Sequence, residues 1–66
     1  MEPNTVLVGD VDRVERRIPE SHGKAECHLH CLDPSGKDLV IVLPENQAIK
    51  LYSVLNVYVK SAKYRP

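Results

Sequence analysis

The stretch AECHLHC, residues 25–31, alternates between apolar and polar side chains. In an extended chain its alanine, leucine and two cysteines share one face, and its glutamate and two histidines share the other. Alternation with a period of two is typical of a strand that is half buried in a sheet. We therefore predict a strand over residues 24–32.

Two further strands and a turn follow from the same kind of pattern. Residues 5–17 alternate until Gly9 and Asp10 interrupt the register, which indicates a bulge or a sharp bend within one long strand. Residues 38–44, DLVIVLP, form a continuous apolar run, which is typical of a strand covered on both faces. The DPSG sequence at 33–36 fits a type I β-turn between the second and third strands.

A helix and a fourth strand are predicted after Pro44. Proline is tolerated in the first turn of a helix, and apolar residues then recur with helical spacing within 45–55, so we expect a helix of about three turns. The residues that carry this spacing are Ala48, Leu51, Tyr52 and Leu55. Residues 56–64 alternate again and are predicted to form a strand. The expected domain is mostly β with the order β-β-β-α-β, residues 1–4 forming a loose N-terminus and 5–66 a single domain.

Two motifs within this order resemble those of a known fold family. VLVGDV at 6–11 forms a bent first strand, and LDPSGK at 32–37 ends an alternating second strand. Together they resemble the oligonucleotide/oligosaccharide-binding (OB) domains of the replication-protein-A and telomere-complex type, over about residues 5–60. The resemblance implies a small, partly open barrel.

An OB barrel has five strands, and the pattern predicts only four here. The sheet would therefore keep an exposed edge, whose unpaired N–H and C=O groups are a template for another strand. A homodimer, a strand from a partner protein or a larger parent chain could each cover that edge.

Size and composition limit the classes of protein. The 66 residues make one domain at most, with a margin of only a few kcal/mol of stability. Two cysteines are too few for a disulfide-stapled secreted miniprotein. No apolar stretch approaches the roughly 20 residues that span a bilayer, and the N-terminus lacks a signal-peptide pattern. We expect an intracellular protein, cytoplasmic or nuclear, that does not bind membranes.

The cysteines and histidines are candidates for metal or redox chemistry. In a strand, Cys27 and Cys31 would lie roughly 13 Å apart, whereas a disulfide needs Cα atoms within about 7 Å. One tetrahedral zinc ion could not collect two cysteines and two histidines that point to opposite faces. We expect no metal and no cofactor, with His22, His28 and His30 as the alternative set of metal ligands. The two cysteines are expected to be buried, structural and unreactive.

No catalytic pattern is found in the sequence. There is no Ser/His/Asp motif, no glycine-rich phosphate loop and no pair of carboxylates at helical spacing. A cysteine next to a histidine could form a nucleophile pair, but neighbours in a strand point to opposite faces. The chain is therefore predicted not to be an enzyme.

The resemblance implies binding of single-stranded DNA or RNA as part of a larger nucleoprotein assembly. OB domains of this kind combine a basic groove with side chains that stack on bases. The candidate contacts are Arg13, Arg16, Arg17, His22, Lys24, His28, His30, Tyr58, Lys60 and Tyr64. Two alternatives stay open: the three arginines could instead pair with Asp10, Asp12 and Glu15, and Tyr58 could pack across the sheet.

The alternative function is a protein–protein interaction subunit or scaffold with no direct nucleic-acid contact. Nine Lys and Arg balance nine Asp and Glu, so a nucleic-acid site would have to rest on a local basic patch. Aromatic residues are also scarce, since the chain has three tyrosines and no Phe or Trp. An unpaired sheet edge and an apolar helix face would give a partner two ways to dock.

Overall fold

A computed structural model describes residues 3–63, the side chain of Lys63 excepted, and shows an open sheet followed by one helix. The elements are β1 (Asp10–Arg17), β2 (Glu26–Leu32), β3 (Asp38–Pro44) and α1 (Glu45–Lys63). The sheet is antiparallel with β2 in the centre, in the order β1-β2-β3. The mostly β class is confirmed. Residues 3–63 do not form a closed barrel.

The turn at 33–36 joins β2 to β3 as predicted. The carboxylate of Asp33 accepts hydrogen bonds from Ser35 N at 2.9 Å, Ser35 Oγ at 2.7 Å and Lys37 N at 2.9 Å. The backbone N of Gly36 donates to Asp33 O at 2.9 Å. The φ angle of Gly36 is +88°, a left-handed conformation that glycine adopts readily. The hydrogen bonds from Ser35 and Lys37 hold the pKa of Asp33 below its ordinary value, Ser35 having the larger effect.

The strand register separates the sheet into two faces of different chemistry. Leu29 lies opposite Ile41 on β3 and Val14 on β1, so these apolar residues share one side. The apolar face comprises Val11, Val14, Cys27, Leu29, Cys31, Leu39, Ile41 and Leu43, with Arg16 at its end. The histidine face comprises Asp10, Arg13, Glu15, Arg17, Glu26, His28, His30, Leu32, Asp38, Val40, Val42 and Pro44. The predicted division of β2, sulfurs on one face and imidazoles on the other, is confirmed.

The first strand is shorter than predicted, and its irregularity lies elsewhere. Residues 3–8 have no regular structure, because β2 ends opposite Asp10 and offers them no ladder. The register shifts between Val11 and Arg13, so Asp12 is the extra residue of the bulge. The prediction of the break at Gly9–Asp10 was therefore wrong by two residues.

Gly9 has a different role, because it lets the chain approach the 33–36 turn closely. Gly9 N donates to Leu32 O at 2.8 Å. A Cβ added at Gly9 would lie 2.9 Å from both Asp33 O and Pro34 Cα, closer than real Cβ contacts come. A side chain at this position would push the segment before β1 away from the turn.

The prediction of a fourth strand at 56–64 was wrong, since α1 continues to Lys63. No glycine or proline occurs within 45–63, and adding a residue to an existing helix fixes one more hydrogen bond without a new nucleation cost. A strand there would have needed a neighbour to pair with. Within residues 3–63 the order is thus β-β-β-α; Tyr64 lies outside the described residues.

The three strands and the helix leave most apolar side chains uncovered. Cys31, 5% exposed, is the one buried hydrophobic residue among those described. The accessible surface is 5970 Å², against about 4,200 Å² expected for a compact protein of 7.4 kDa. The radius of gyration is 14.3 Å, against about 11 Å for a compact 66-residue domain. The described chain does not enclose a core of its own.

We expect Gly9→Ala to destabilise the fold by about 1–3 kcal/mol, the usual cost of forcing atoms into a filled space. Circular dichroism at fixed protein concentration should show a lower Tm, by about 4–8 °C per kcal/mol in a domain of this size. Ser21→Ala, in an exposed loop, serves as the control. Equal Tm values for the two variants would contradict the close approach.

Candidate functional site

The histidine face holds a carboxylate, Glu15, between a histidine and an arginine. His30 Nε2 lies 2.6 Å from Glu15 Oε1, and Arg17 donates to the same carboxylate at 3.3 Å. The hydrogen bond from His30 is the main cause that lowers the pKa of Glu15, and the charge of Arg17 adds to it. Glu15 therefore stays ionised in the folded state at a pH where a free carboxyl begins to protonate.

A second carboxylate on this face, Glu26, contacts two more histidines. His28 Nε2 lies 3.2 Å from Glu26 Oε1, and His22 Nε2 lies 3.4 Å from Glu26 Oε2. The side chains of His28 and His30 are 17% and 19% exposed. Neither ring therefore offers a free face of the size that stacking on a base requires.

The three candidate arginines lie on both faces of the sheet, and each is paired with a carboxylate. Arg13 donates to Asp12 at 3.2 Å on the histidine side. Arg16 lies on the apolar side because the bulge shifts the register, and it donates to Glu45 at 2.7 Å. This hydrogen bond raises the pKa of Arg16 and lowers that of Glu45. The arginines do not form one basic groove.

The strands place more carboxylates than arginines on the histidine face. The carboxylates are Asp10, Glu15, Glu26 and Asp38, and the arginines are Arg13 and Arg17. With neutral histidines the face is net negative. A negative face repels phosphates, so it lacks the basic field that single-strand binding uses.

The other predicted contacts lie away from the sheet. Lys24 is exposed in the loop before β2, where its backbone N donates to His22 Nδ1 at 3.0 Å. Tyr58 and Lys60 are exposed on the second half of α1. Tyr64 belongs to the residues that are not described. The structure thus brings His28 and His30 together with Arg13 and Arg17 on one face of the sheet. It places Tyr58 and Lys60 on α1 instead.

The helix and the apolar face form two grooves. The larger has a volume of about 340 Å³ and lies between Val14 and Cys27 of the sheet and Ala48, Ile49 and Tyr52 of the helix. The smaller, about 250 Å³, lies beside β3 and is lined by Leu43, Gln47, Lys50, Leu51 and Val54. Both grooves are open to solvent, and the larger is also bordered by four charged residues, Glu15, Arg16, Glu26 and Glu45.

The second half of α1 is apolar around most of its circumference. Its exposed large side chains are Val54, Leu55, Val57, Tyr58 and Val59, which at 3.6 residues per turn cover more than half of the helix surface. Polar residues with helical spacing, Ser53, Asn56 and Lys60, form a narrow stripe between them. Helices that are apolar nearly all round are normally buried. The sequence pattern predicted an apolar helix face that ends at Leu55, because residues 56–64 were interpreted as a strand.

Neither a cluster of metal-ligating side chains nor a membrane-spanning helix is found among the residues that the structure describes. Among residues 3–63, no group of three or more His, Cys, Asp and Glu side chains is arranged to hold a metal ion. His22 and His28 contact Glu26 instead of converging with His30 on a common centre. Nor does α1 have the apolar length that crossing a bilayer requires.

Comparisons of the chain with protein-family models, curated proteins and solved structures gave no match.

We expect Glu15→Gln to make the free energy of unfolding depend less steeply on pH below neutrality. The folded-state pKa of Glu15 is lowered, so its contribution is complete above the ordinary value of 4.5 and is lost as the pH falls through the folded-state value. Urea midpoints measured from pH 6 to pH 3 should fall less steeply for this variant than for the wild type. Glu20→Gln, in an exposed loop, should keep the wild-type slope, and equal slopes for all three proteins would refute the role of Glu15.

The two thiols should differ in reactivity. The prediction that both cysteines are buried is confirmed for Cys31 and wrong for Cys27, which is half-buried in the larger groove, and their reactivity stays a prediction. We expect Ellman's reagent to modify Cys27 first, and Cys31 only when the sheet opens. Cys27→Ser and Cys31→Ser assign the two phases. A fast phase that survives Cys27→Ser would contradict this order.

Proposed function

We propose that the chain is a protein-interaction module that completes its hydrophobic core against another polypeptide. The observation that carries the proposal is that Cys31 is the single buried hydrophobic residue among residues 3–63, while apolar side chains are exposed along the helix and both sheet edges. Burying a Val, Leu or Tyr side chain stabilises a fold by roughly 1.5–3 kcal/mol. Ordering the backbone costs about 1–2 kcal/mol per residue, which a core of one residue does not offset.

The surfaces that a partner would cover are the apolar face and the second half of α1. The grooves at Cys27 and Leu43 open onto these surfaces and can receive apolar side chains. Interfaces of obligate complexes resemble a domain core cut in half, and this arrangement of a sheet, a helix and two apolar grooves has that character. Most charged residues of the three strands lie on the opposite face, where Arg17 pairs with Glu15.

Single-strand binding stays a prediction that rests on the resemblance to OB domains. Three antiparallel strands followed by a helix are consistent with the first part of that fold, but the histidine face is net negative and its arginines are paired. We therefore place the interaction module first. Absence of enzymatic activity likewise stays a prediction.

Native mass spectrometry of the purified chain, with and without a short single strand of mixed sequence, tests the proposal. Dye binding by 8-anilinonaphthalene-1-sulfonate and amide hydrogen exchange complete the design, because they report exposed apolar surface and local opening. We expect either an assembly with protected amides or a monomer that binds the dye and exchanges quickly.

Two results would overturn the proposed function. A monomer that melts cooperatively, binds no dye and protects its amides needs no partner. A monomer that becomes ordered only when the single strand is added would support the nucleic-acid alternative. Salt dependence of that complex would then identify its phosphate contacts.

A further inference from the structure

The open sheet has two free edges, and they differ in how they are protected. β1 carries the bulge at Asp12 and a series of charged residues, both of which discourage pairing with another strand. Its charged residues are Asp10, Asp12, Arg13, Glu15, Arg16 and Arg17. β3 has no charge between its first residue, Asp38, and its last, Pro44. The free edge of β3 is therefore the one available for pairing.

The sequence of β3 between those ends reads the same in both directions. Residues 39–43 are Leu, Val, Ile, Val and Leu, with Ile41 at the centre. β-Branched residues favour extended structure, and Val40 and Val42 are 46% and 47% exposed on the histidine face. A strand with this symmetry meets identical side chains when it pairs antiparallel with a copy of itself.

We propose that β3 pairs antiparallel with β3 of a second copy of this chain, about a two-fold axis at Ile41. This inference rests on the proposed function and names a second copy as the partner at the edge of β3, where the two apolar faces are joined side by side. In this register Ile41 lies opposite its own counterpart, Val40 opposite Val42, and Leu39 opposite Leu43. Asp38 lies opposite Pro44, so no like charges meet directly, and an isologous pair of this kind closes without forming fibres.

The proposed register also makes the apolar faces of the two copies continuous. Directly opposite residues of an antiparallel pair point to the same side, so an axis at Ile41 continues the apolar face of one copy into that of the other. The two sheets become one six-stranded sheet with both helices on the same side. A register shifted by one residue would set the apolar face of one copy beside the histidine face of the other.

Two further observations favour a second copy at this edge. The smaller groove, at Leu43, Leu51 and Val54, lies beside β3, next to the proposed junction. The net charge of zero adds no overall repulsion between copies.

Charge variants at Val40 and Val42 test both the edge and the register. In V40K/V42K each introduced lysine faces a lysine of the second copy, and V40E/V42E creates the same repulsion between glutamates. We expect each variant to associate about tenfold or more weakly than the wild type, since two like-charged pairs replace two apolar pairs. Mixing the two variants should restore a dimer, because every lysine then faces a glutamate.

Sedimentation equilibrium gives the masses, and native mass spectrometry distinguishes the mixed dimer from the two homodimers. I18K/S21K makes the same charge change at exposed residues of the loop between β1 and β2 and should associate like the wild type. Far-ultraviolet circular dichroism shows whether the variants keep their secondary structure. The rescue in the mixture keeps the test valid even where a variant alone is partly unfolded.

Each other outcome overturns a defined part of the proposal. A wild-type dimer that V40K/V42K leaves intact places the contact on another surface, and a mixture that stays monomeric refutes the register. A wild-type monomer that binds the dye and exchanges quickly overturns the second copy as partner and leaves the proposed function standing. A monomer with a protected core overturns both.

Discussion

An amphipathic strand in the middle of a sheet must have its apolar face covered, and everything else in this chain depends on how far that is achieved. β2 pairs on both edges, so its backbone groups are satisfied by β1 and β3. The helix α1 packs against its apolar face near Cys27, which is only half-buried, and Cys31 at the other end is the one buried residue of the strand. One helix cannot cover three strands. The uncovered remainder explains the large surface and the open grooves.

Three parts of the fold, β2, the 33–36 turn and β3, are determined by local sequence and could be predicted from it. The alternation of β2 depends only on its own side chains, and the DPSG turn contains its own hydrogen-bond acceptor in Asp33. β3 was predicted with its observed bounds because Asp38 and Pro44 mark its ends chemically. These features are set by neighbours a few residues apart, which is the range over which periodicity and turn chemistry carry information.

The rest depended on contacts that a pattern does not contain. Residues 56–63 place the β-branched Val57 and Val59 at alternate positions, as a strand would. The helix that has already formed nevertheless continues through them, because no strand is available to pair with. Arg16 and Arg17 are neighbours in β1 and therefore lie on opposite faces, and the bulge at Asp12 decides that Arg16 is the one on the apolar side. The register brings Glu15 to His30. The sequence pattern alone did not show that the histidines contact carboxylates, so it left them available for a nucleic acid. The candidate site therefore changed more than the fold did.

The distribution of charge separates the two ways in which this sheet can meet a ligand. On the histidine face Glu15 and Glu26 contact Arg17, His28 and His30, and with neutral histidines the four carboxylates outnumber the two arginines, so an approaching phosphate gains little there. On the apolar face and at the edge of β3 there is little charge to desolvate, and contact with another apolar surface releases water without leaving an unpaired ion. Of the two faces, the apolar one thus offers the larger free-energy gain on burial. Because β1 is protected by charges and a bulge, that gain is directed to the β3 side of the sheet.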